Sequence, residues 1–317
     1  MDEQGAKNMT TEAFRIALDW NYALGGTDFR LIGGEPTLAP NFIKFMEIAA
    51  NDARFQNIMI FSNFTFDEHI ANNIIRISHE KNVYTLPNIN EFDLLFPKQR
   101  ENILRNIDLF SQQLSNFETL GINIYRPDLD LTQWKELFLK YKNLTNFRYS
   151  IAVPTEKILR NEFDFYEYYH SFENILVELA RFCAENGIRM GNDCNNLPIC
   201  CFSPEAIVEI MKGGSWSAFG FEDYCGYPII DVLPDLTVAG CFGLNRPGTF
   251  NLKLTDFNTP QELTSYLDAC GDRYDKLARK ECLDCIRYIK TGISCSCRSG
   301  HLIDKKEAIN EKMNIAR

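Results

Sequence analysis

The chain has 317 residues, 45% of them hydrophobic and 13% aromatic, which is ample apolar material for one large buried core and a smaller second one. Its formal net charge of −10, without a long Lys/Arg run, excludes the basic face that a nucleic-acid partner needs. No stretch approaches about eighteen apolar residues and Met1-Asp2-Glu3-Gln4-Gly5 lacks the pattern of a secretion signal, so the reading is a cytoplasmic protein with no membrane contact.

In chain order, the first half alternates apolar runs of strand length with amphipathic runs of helix length, the pattern of βα units around a parallel sheet or barrel. A helix is predicted from about Thr10, a candidate N-cap, to Leu24, stopped by Gly25-Gly26. A strand follows at Phe29–Ile32, then a helix opened by Pro40 and carrying Phe42, Phe45, Met46 and Ala49. Ile58–Phe61 is the next strand. Thr65 and Glu68 form a capping-box pair before a helix that aligns Ile70, Ile74, Ile75 and Ile77.

The order repeats with strands near Val83–Leu86, Ile122–Tyr125 and Phe147–Ile151, separated by helices at about Arg100–Phe117 and Thr132–Tyr141. Five strands result, and a sixth belongs before the first helix, where the chain begins. Residues 155 to 190 read as an acidic, aromatic link and a helix presenting Phe172, Ile175, Leu176, Leu179 and Phe182. Beyond about residue 191 the texture changes: a hairpin, Ile229–Val232 and Thr237–Cys241 around Pro234-Asp235, then a helix near Pro260–Cys270 and a cysteine-rich tail. The division is thus 1–190 and 191–317.

All eleven cysteines lie at or after Cys183, so the two parts do different work. An odd count in a reducing compartment suits metal ligation better than a disulfide framework. Cys282-x2-Cys285 is a chelating pair of the kind used for zinc or iron-sulfur, with Cys295 and Cys297 close behind. Cys183 and Cys270 sit on helical patterns and read as buried hydrophobes. The four histidines, His69, His79, His170 and His301, have no ligand spacing, and no nucleophile, Walker or dinucleotide motif marks a catalytic residue.

The sharpest signal in the first half is Gly33-Gly34-Glu35-Pro36, directly after a predicted strand. Consecutive glycines there admit a ligand to the backbone, and a fixed carboxylate accepts bonds from a cationic amine. The longer string Phe29–Phe42, FRLIGGEPTLAPNF, resembles the second-strand motif of the radical S-adenosylmethionine (radical SAM) superfamily. That resemblance implies that Gly33, Gly34, Glu35 and Pro36 contact the amino group of S-adenosylmethionine. Ser62-Asn63, Asn88 and Asn123 stand at the later strand ends where the family places cofactor contacts, with Arg148 and Ser150 on the last strand.

The family's C-x3-C-x2-C loop has no counterpart, because no cysteine precedes Cys183; Asp2–Glu12 resembles the stretch that follows that loop. The expectation is therefore a partial (β/α)6 barrel lacking its first strand, and a chain that does not by itself cleave S-adenosylmethionine. Cys225 and Cys241, flanking the hairpin, with Cys282 and Cys285 resemble the SPASM/twitch auxiliary-cluster domain, although Leu236 stands where that pattern has Gly.

Cys225, Cys241, Cys282 and Cys285, with Cys295 and Cys297 behind them, are the candidate ligands of at least one 4Fe-4S cluster. Either Cys194 or Cys200, in the segment Asp193–Phe202, could add a ligand. Such enzymes reductively cleave S-adenosylmethionine to a hydrogen-abstracting 5'-deoxyadenosyl radical, draw on an electron donor, and, with this kind of tail, often modify a peptide. The rival reading is a non-catalytic scaffold whose cysteines hold structural zinc.

Overall fold

A computed structural model describes residues 8–152, 164–193, 197–214, 230–239, 252–275 and 284–285. Helix α1 (Thr11–Ala23) begins where the hydroxyl of Thr10 accepts a bond from the Ala13 amide at 3.1 Å, and Gly25, at φ 86°, turns the chain out of it. Its buried residues Ala13, Phe14, Ala17 and Leu18 recur at helical spacing. The units that follow are β1 (Asp28–Leu31), α2 (Phe42–Ala50), β2 (Asn57–Ser62), α3 (Glu68–Ser78), β3 (Asn82–Pro87), α4 (Pro97–Gln113), β4 (Thr119–Ile124), α5 (Thr132–Lys140) and β5 (Asn146–Ile151). Two further helices, α6 (Phe165–Ser171) and α7 (Glu173–Asn186), lead to β6 (Arg189–Asn192) and then α8 (Pro204–Lys212).

Strands β1, β2 and β3 pair in parallel, with Leu31 opposite Ile60 and Ile60 opposite Thr85. Strands β4, β5 and β6 do the same, with Asn123 opposite Ser150 and Arg148 opposite Gly191. A parallel bridge between Asn88 and Gly121 joins the two triplets into one run. Gly121 is required by that junction, since a Cβ there would stand 2.9 Å from the carbonyl oxygen of Pro87 and 3.3 Å from the side-chain oxygen of Asn88.

Alternate residues face the helices: Ile58, Ile60, Val83, Leu120, Ile122, Ile124, Phe147, Tyr149 and Ile151 are buried among Phe14, Phe45, Ile74, Ile107, Trp134 and Leu176. The opposite parity carries Phe61, Leu86, Asn123 and Arg148. There the Arg148 guanidinium lies 5.1 Å from the centre of the Phe61 ring, although β3 and β4 separate β5 from β2. Three strand spacings in a flat sheet would be about 14 Å, so the sheet curls with this face inside.

Several boundaries differ from the sequence reading. The α3 cap is Asp67, whose carboxylate accepts from the Ile70 amide at 3.0 Å, and not Thr65, whose hydroxyl is drawn instead to the Asn63 side chain at 2.6 Å. Pro36, not Pro40, heads a helical element, the 3-10 turn Pro36–Leu38, and α2 starts at Phe42. Strand β6, which includes residue 190, was not anticipated. Its four residues, Arg-Met-Gly-Asn, hold one large apolar side chain, and their strand state comes from the edge offered by β5.

The second part contributes the antiparallel pair β7 (Asp231–Val232) and β8 (Val238–Ala239), the predicted strand ends at Ile229 and Cys241 lying outside the described residues, and α9 (Pro260–Asp275). Val238, Leu254, Leu263 and Leu267 close over Ala17 of α1, flanked by Ile16, Trp20 and Leu24. Helix α1 therefore serves two cores, one on each side. Leu236 holds φ 70° in the hairpin turn, the left-handed backbone that a Gly would take without strain.

Candidate functional site

Glu35 sits between the end of β1 and the 3-10 turn it caps. Its Oε1 accepts from the Thr37 amide at 3.2 Å, the Thr37 hydroxyl at 2.6 Å and the Ser62 hydroxyl at 2.9 Å. Its Oε2 accepts from the Asn63 amide at 2.7 Å. A carboxylate offers about four lone-pair directions, so Oε1 is saturated and Oε2 retains one acceptor position. Gly33 and Gly34 precede it, both exposed, and a Cβ on either would meet nothing within 4 Å. No atom of the described residues beside them requires glycine; open backbone next to a fixed carboxylate is what remains.

The loop after β2 is drawn tight against this carboxylate. The Ser62 hydroxyl, 4% exposed, also accepts from the Phe64 amide at 3.0 Å, and the Asn63 side chain accepts from the Thr65 amide at 3.0 Å. Between them Phe64 takes φ 64°, a conformation that costs a bulky residue about 1 to 2 kcal/mol. Its ring is fully buried against Phe66, Phe110 and Phe117, and that burial offsets the strain.

The other candidates line the same carboxyl end. The Asn88 amide donates to the Ser62 carbonyl at 2.8 Å, and the Asn123 side-chain oxygen accepts from the Ser150 hydroxyl at 2.6 Å. Below them on the inner face Arg148 donates to Asp193 at 2.5 Å. Thus Glu35, Ser62 and Asn63 form one bonded cluster, Asn88 adjoins it, and Asn123 belongs to a second pair with Ser150. Thr37 and Asp193 carry no site signal of their own in the sequence beyond their places, Thr37 directly after Pro36 and Asp193 directly before Cys194.

Of the candidate metal ligands, Cys285 is partly exposed, while Cys225, Cys241, Cys282, Cys295 and Cys297 lie outside the described residues. Among the described residues no group of three His, Cys, Asp or Glu side chains is arranged to hold a metal. Cys183 is buried, and burial pushes its thiol up to about 12, as expected of a packing residue. Cys201 is buried and Cys200 exposed, and Cys194 lies outside the described residues. No helix among the described residues is long and apolar enough to cross a membrane.

No family model and no curated protein matches the chain. Solved structures do. Streptococcus suis SuiB bound to S-adenosylmethionine aligns over 86% of this chain and 62% of its own, with 13% identity and a TM-score of 0.59. The structure of anSMEcpe with bound AdoMet and Kp18Cys peptide aligns over 97% of this chain and 90% of its own, with 14% identity and a TM-score of 0.55. The chain shares their fold. SuiB bound to its precursor peptide SuiA aligns as well, over 82% of this chain, with 11% identity and a TM-score of 0.51. The chain thus spans less than two thirds of the SuiB length, and at these identities the likeness is one of fold. A parallel α/β fold shared with S-adenosylmethionine-bound structures agrees with the radical SAM resemblance carried by residues 29–42.

Proposed function

We propose that this chain is a radical SAM protein that binds S-adenosylmethionine at the carboxyl end of β1 and β2 and acts on a peptide. The observation that carries the reading is the Glu35 carboxylate, pinned by four hydrogen bonds with one acceptor position left on Oε2, beside the open Gly33-Gly34 backbone. That acceptor fits the cationic ammonium of an amino acid, which donates, and the glycines leave room for it. In this reading residues 1–190, with β6 running on to Asn192, are the partial (β/α)6 barrel, Ser62 and Asn63 hold Glu35 in place, and Asn88 and Asn123 reach the cofactor from β3 and β4. Where a 4Fe-4S cluster, for which this sequence has no C-x3-C-x2-C loop, and an electron donor are supplied, bound S-adenosylmethionine would provide hydrogen-atom abstraction. The chain's own residues bind its amine, orient it toward the inner face and shield that face from water.

The later module is then a SPASM/twitch-like domain in which Cys225, Cys241, Cys282 and Cys285 hold a 4Fe-4S cluster, with Cys295 and Cys297 as further candidates. Peptide-bound SuiB and anSMEcpe support a peptide as the substrate class.

Titration calorimetry with S-adenosylmethionine tests the cofactor assignment. Loss of a charge-assisted bond worth about 1.5 to 3 kcal/mol predicts that Glu35→Ala binds at least about tenfold more weakly than the native chain. Equal affinity would reject the assignment. For the cysteines, anaerobic reconstitution is expected to incorporate about four irons per chain with a charge-transfer band near roughly 400 nm, whereas stoichiometric zinc without visible absorbance would favour the scaffold reading.

A further inference from the structure

The backbone that presents Asn63 to Glu35 is held by more than its own Ser62 and Asn63 side chains. Helix α4 grips it from below with three side chains on one face, at positions i, i+3 and i+4. Asn102 donates to the carbonyl of Thr65 at 2.8 Å, Arg105 to that of Phe66 at 2.9 Å, and Asn106 to those of Phe64 and Phe66, both at 2.9 Å. The three are tied to one another, since Arg105 also donates to the side-chain oxygens of Asn102 at 2.9 Å and of Asn106 at 3.1 Å. Every carbonyl from Phe64 to Phe66 is therefore claimed by α4.

A polar triad of this kind inside a core is costly unless its hydrogen bonds are met, and here the loop carbonyls meet them. Asn106 is completely buried and Asn102 7% exposed, on a helix whose remaining buried positions are Ile103, Ile107 and Phe110. An apolar residue at 106 would pack there but would leave the left-handed turn at Phe64 without its acceptor's partner. The turn sets the direction of the Asn63 amide, and that amide takes one of the two acceptor positions on Oε2 of Glu35.

We infer that Asn106, with Asn102 and Arg105, is a positioning residue for ligand binding: α4 locks the 62–66 loop so that Oε2 of Glu35 keeps its remaining acceptor position aimed at the ligand amine. The inference rests on the reading of Glu35 as that acceptor. It adds a determinant that touches no ligand and lies 71 residues along the chain from Glu35.

The test uses the full chain with Asn106→Ala and the milder Asn102→Ala. Two readouts are taken: S-adenosylmethionine affinity by calorimetry, and hydrogen exchange of the 62–66 amides without ligand. Asn106→Ala is expected to weaken binding about tenfold and Asn102→Ala about threefold, and each should raise exchange at Asn63 and Phe64 by at least about tenfold. In a Glu35→Gln background the affinity penalty of Asn106→Ala should largely vanish, because the two residues act through one acceptor; a general loss of packing would add instead.

If Asn106→Ala does not fold, Asn102→Ala and its cycle with Glu35→Gln decide. Folded variants that bind within twofold of the native chain, or a penalty undiminished in the Glu35→Gln background, would overturn the inference. Failure of Glu35→Ala to weaken binding would instead reject the parent reading, while the exchange result would still report whether α4 holds the loop.

Discussion

Phe64→Ala is expected to destabilise the fold by about 3 to 5 kcal/mol, the range for truncating a fully buried aromatic side chain. Three rings close over Phe64, with centroids 5.1 Å away for Phe66, 5.2 Å for Phe110 and 5.7 Å for Phe117, so the cavity would be bounded by groups that already touch one another and cannot collapse freely. Alanine would keep the strained backbone at φ 64° while losing the burial that offsets it. Domains of this size are stable by only about 5 to 15 kcal/mol, so much of the margin would go. Urea unfolding should show a lower midpoint at unchanged slope, and Phe64→Leu should recover more than half of the loss. A shift worth less than about 1.5 kcal/mol would mean that the ring cluster is not the anchor of this loop.

That anchor explains why the site was only partly readable from sequence. The string Gly33-Gly34-Glu35-Pro36 is local, and its chemistry follows from residue type: open backbone, then a carboxylate, then a ring that presets a turn. What Glu35 does with its oxygens is only half local. The two bonds from Thr37 lie within the same turn, but the two from the Ser62 hydroxyl and the Asn63 amide could be guessed only with the 62–63 loop placed beside it. The grip of α4 is further still from view. Asn102 and Asn106 fall on the apolar face of an otherwise ordinary amphipathic helix, where an asparagine reads as an exception until the loop carbonyls are seen opposite it.

The fold shows the same division between local and paired information. Period-two burial in Asn57–Ser62 and Asn82–Pro87, and helical spacing in α1, α2 and α3, were legible because each segment carries its own apolar pattern. Strand β6 was invisible because its pattern belongs to its neighbour: Arg189 to Asn192 extend only because Asn146 to Tyr149 offer a free edge. Asp67 and Thr65 are both competent caps by type, and the choice fell to Asp67 once the Thr65 hydroxyl was engaged by Asn63.

The hairpin of the second part supplies a stability change with a definite sign. Asp231 on β7 stands between Ile230 and Val232, which join the apolar cluster on α1, and desolvation raises its pKa to about 6 despite the attraction of Arg30 on the inner side of β1. In the unfolded chain the same carboxyl ionises near about 3.9. Between those values the folded protein binds more protons than the unfolded one, so stability falls as pH rises from about 4 to about 6 and stays reduced above that. A shift of this size corresponds to about 3 kcal/mol at full weight; screening at a half-buried position brings the expectation to about 1 to 2 kcal/mol. Asp231→Asn keeps the shape and removes the charge. It should therefore stabilise the protein by about that amount at pH 7.5 and by much less at pH 4.5, read as the difference between mutant and native urea midpoints at each pH. A difference independent of pH would show that Asp231 is solvated as a carboxylate in the fold, and that the contact between the hairpin and α1 is looser than its apolar neighbours imply.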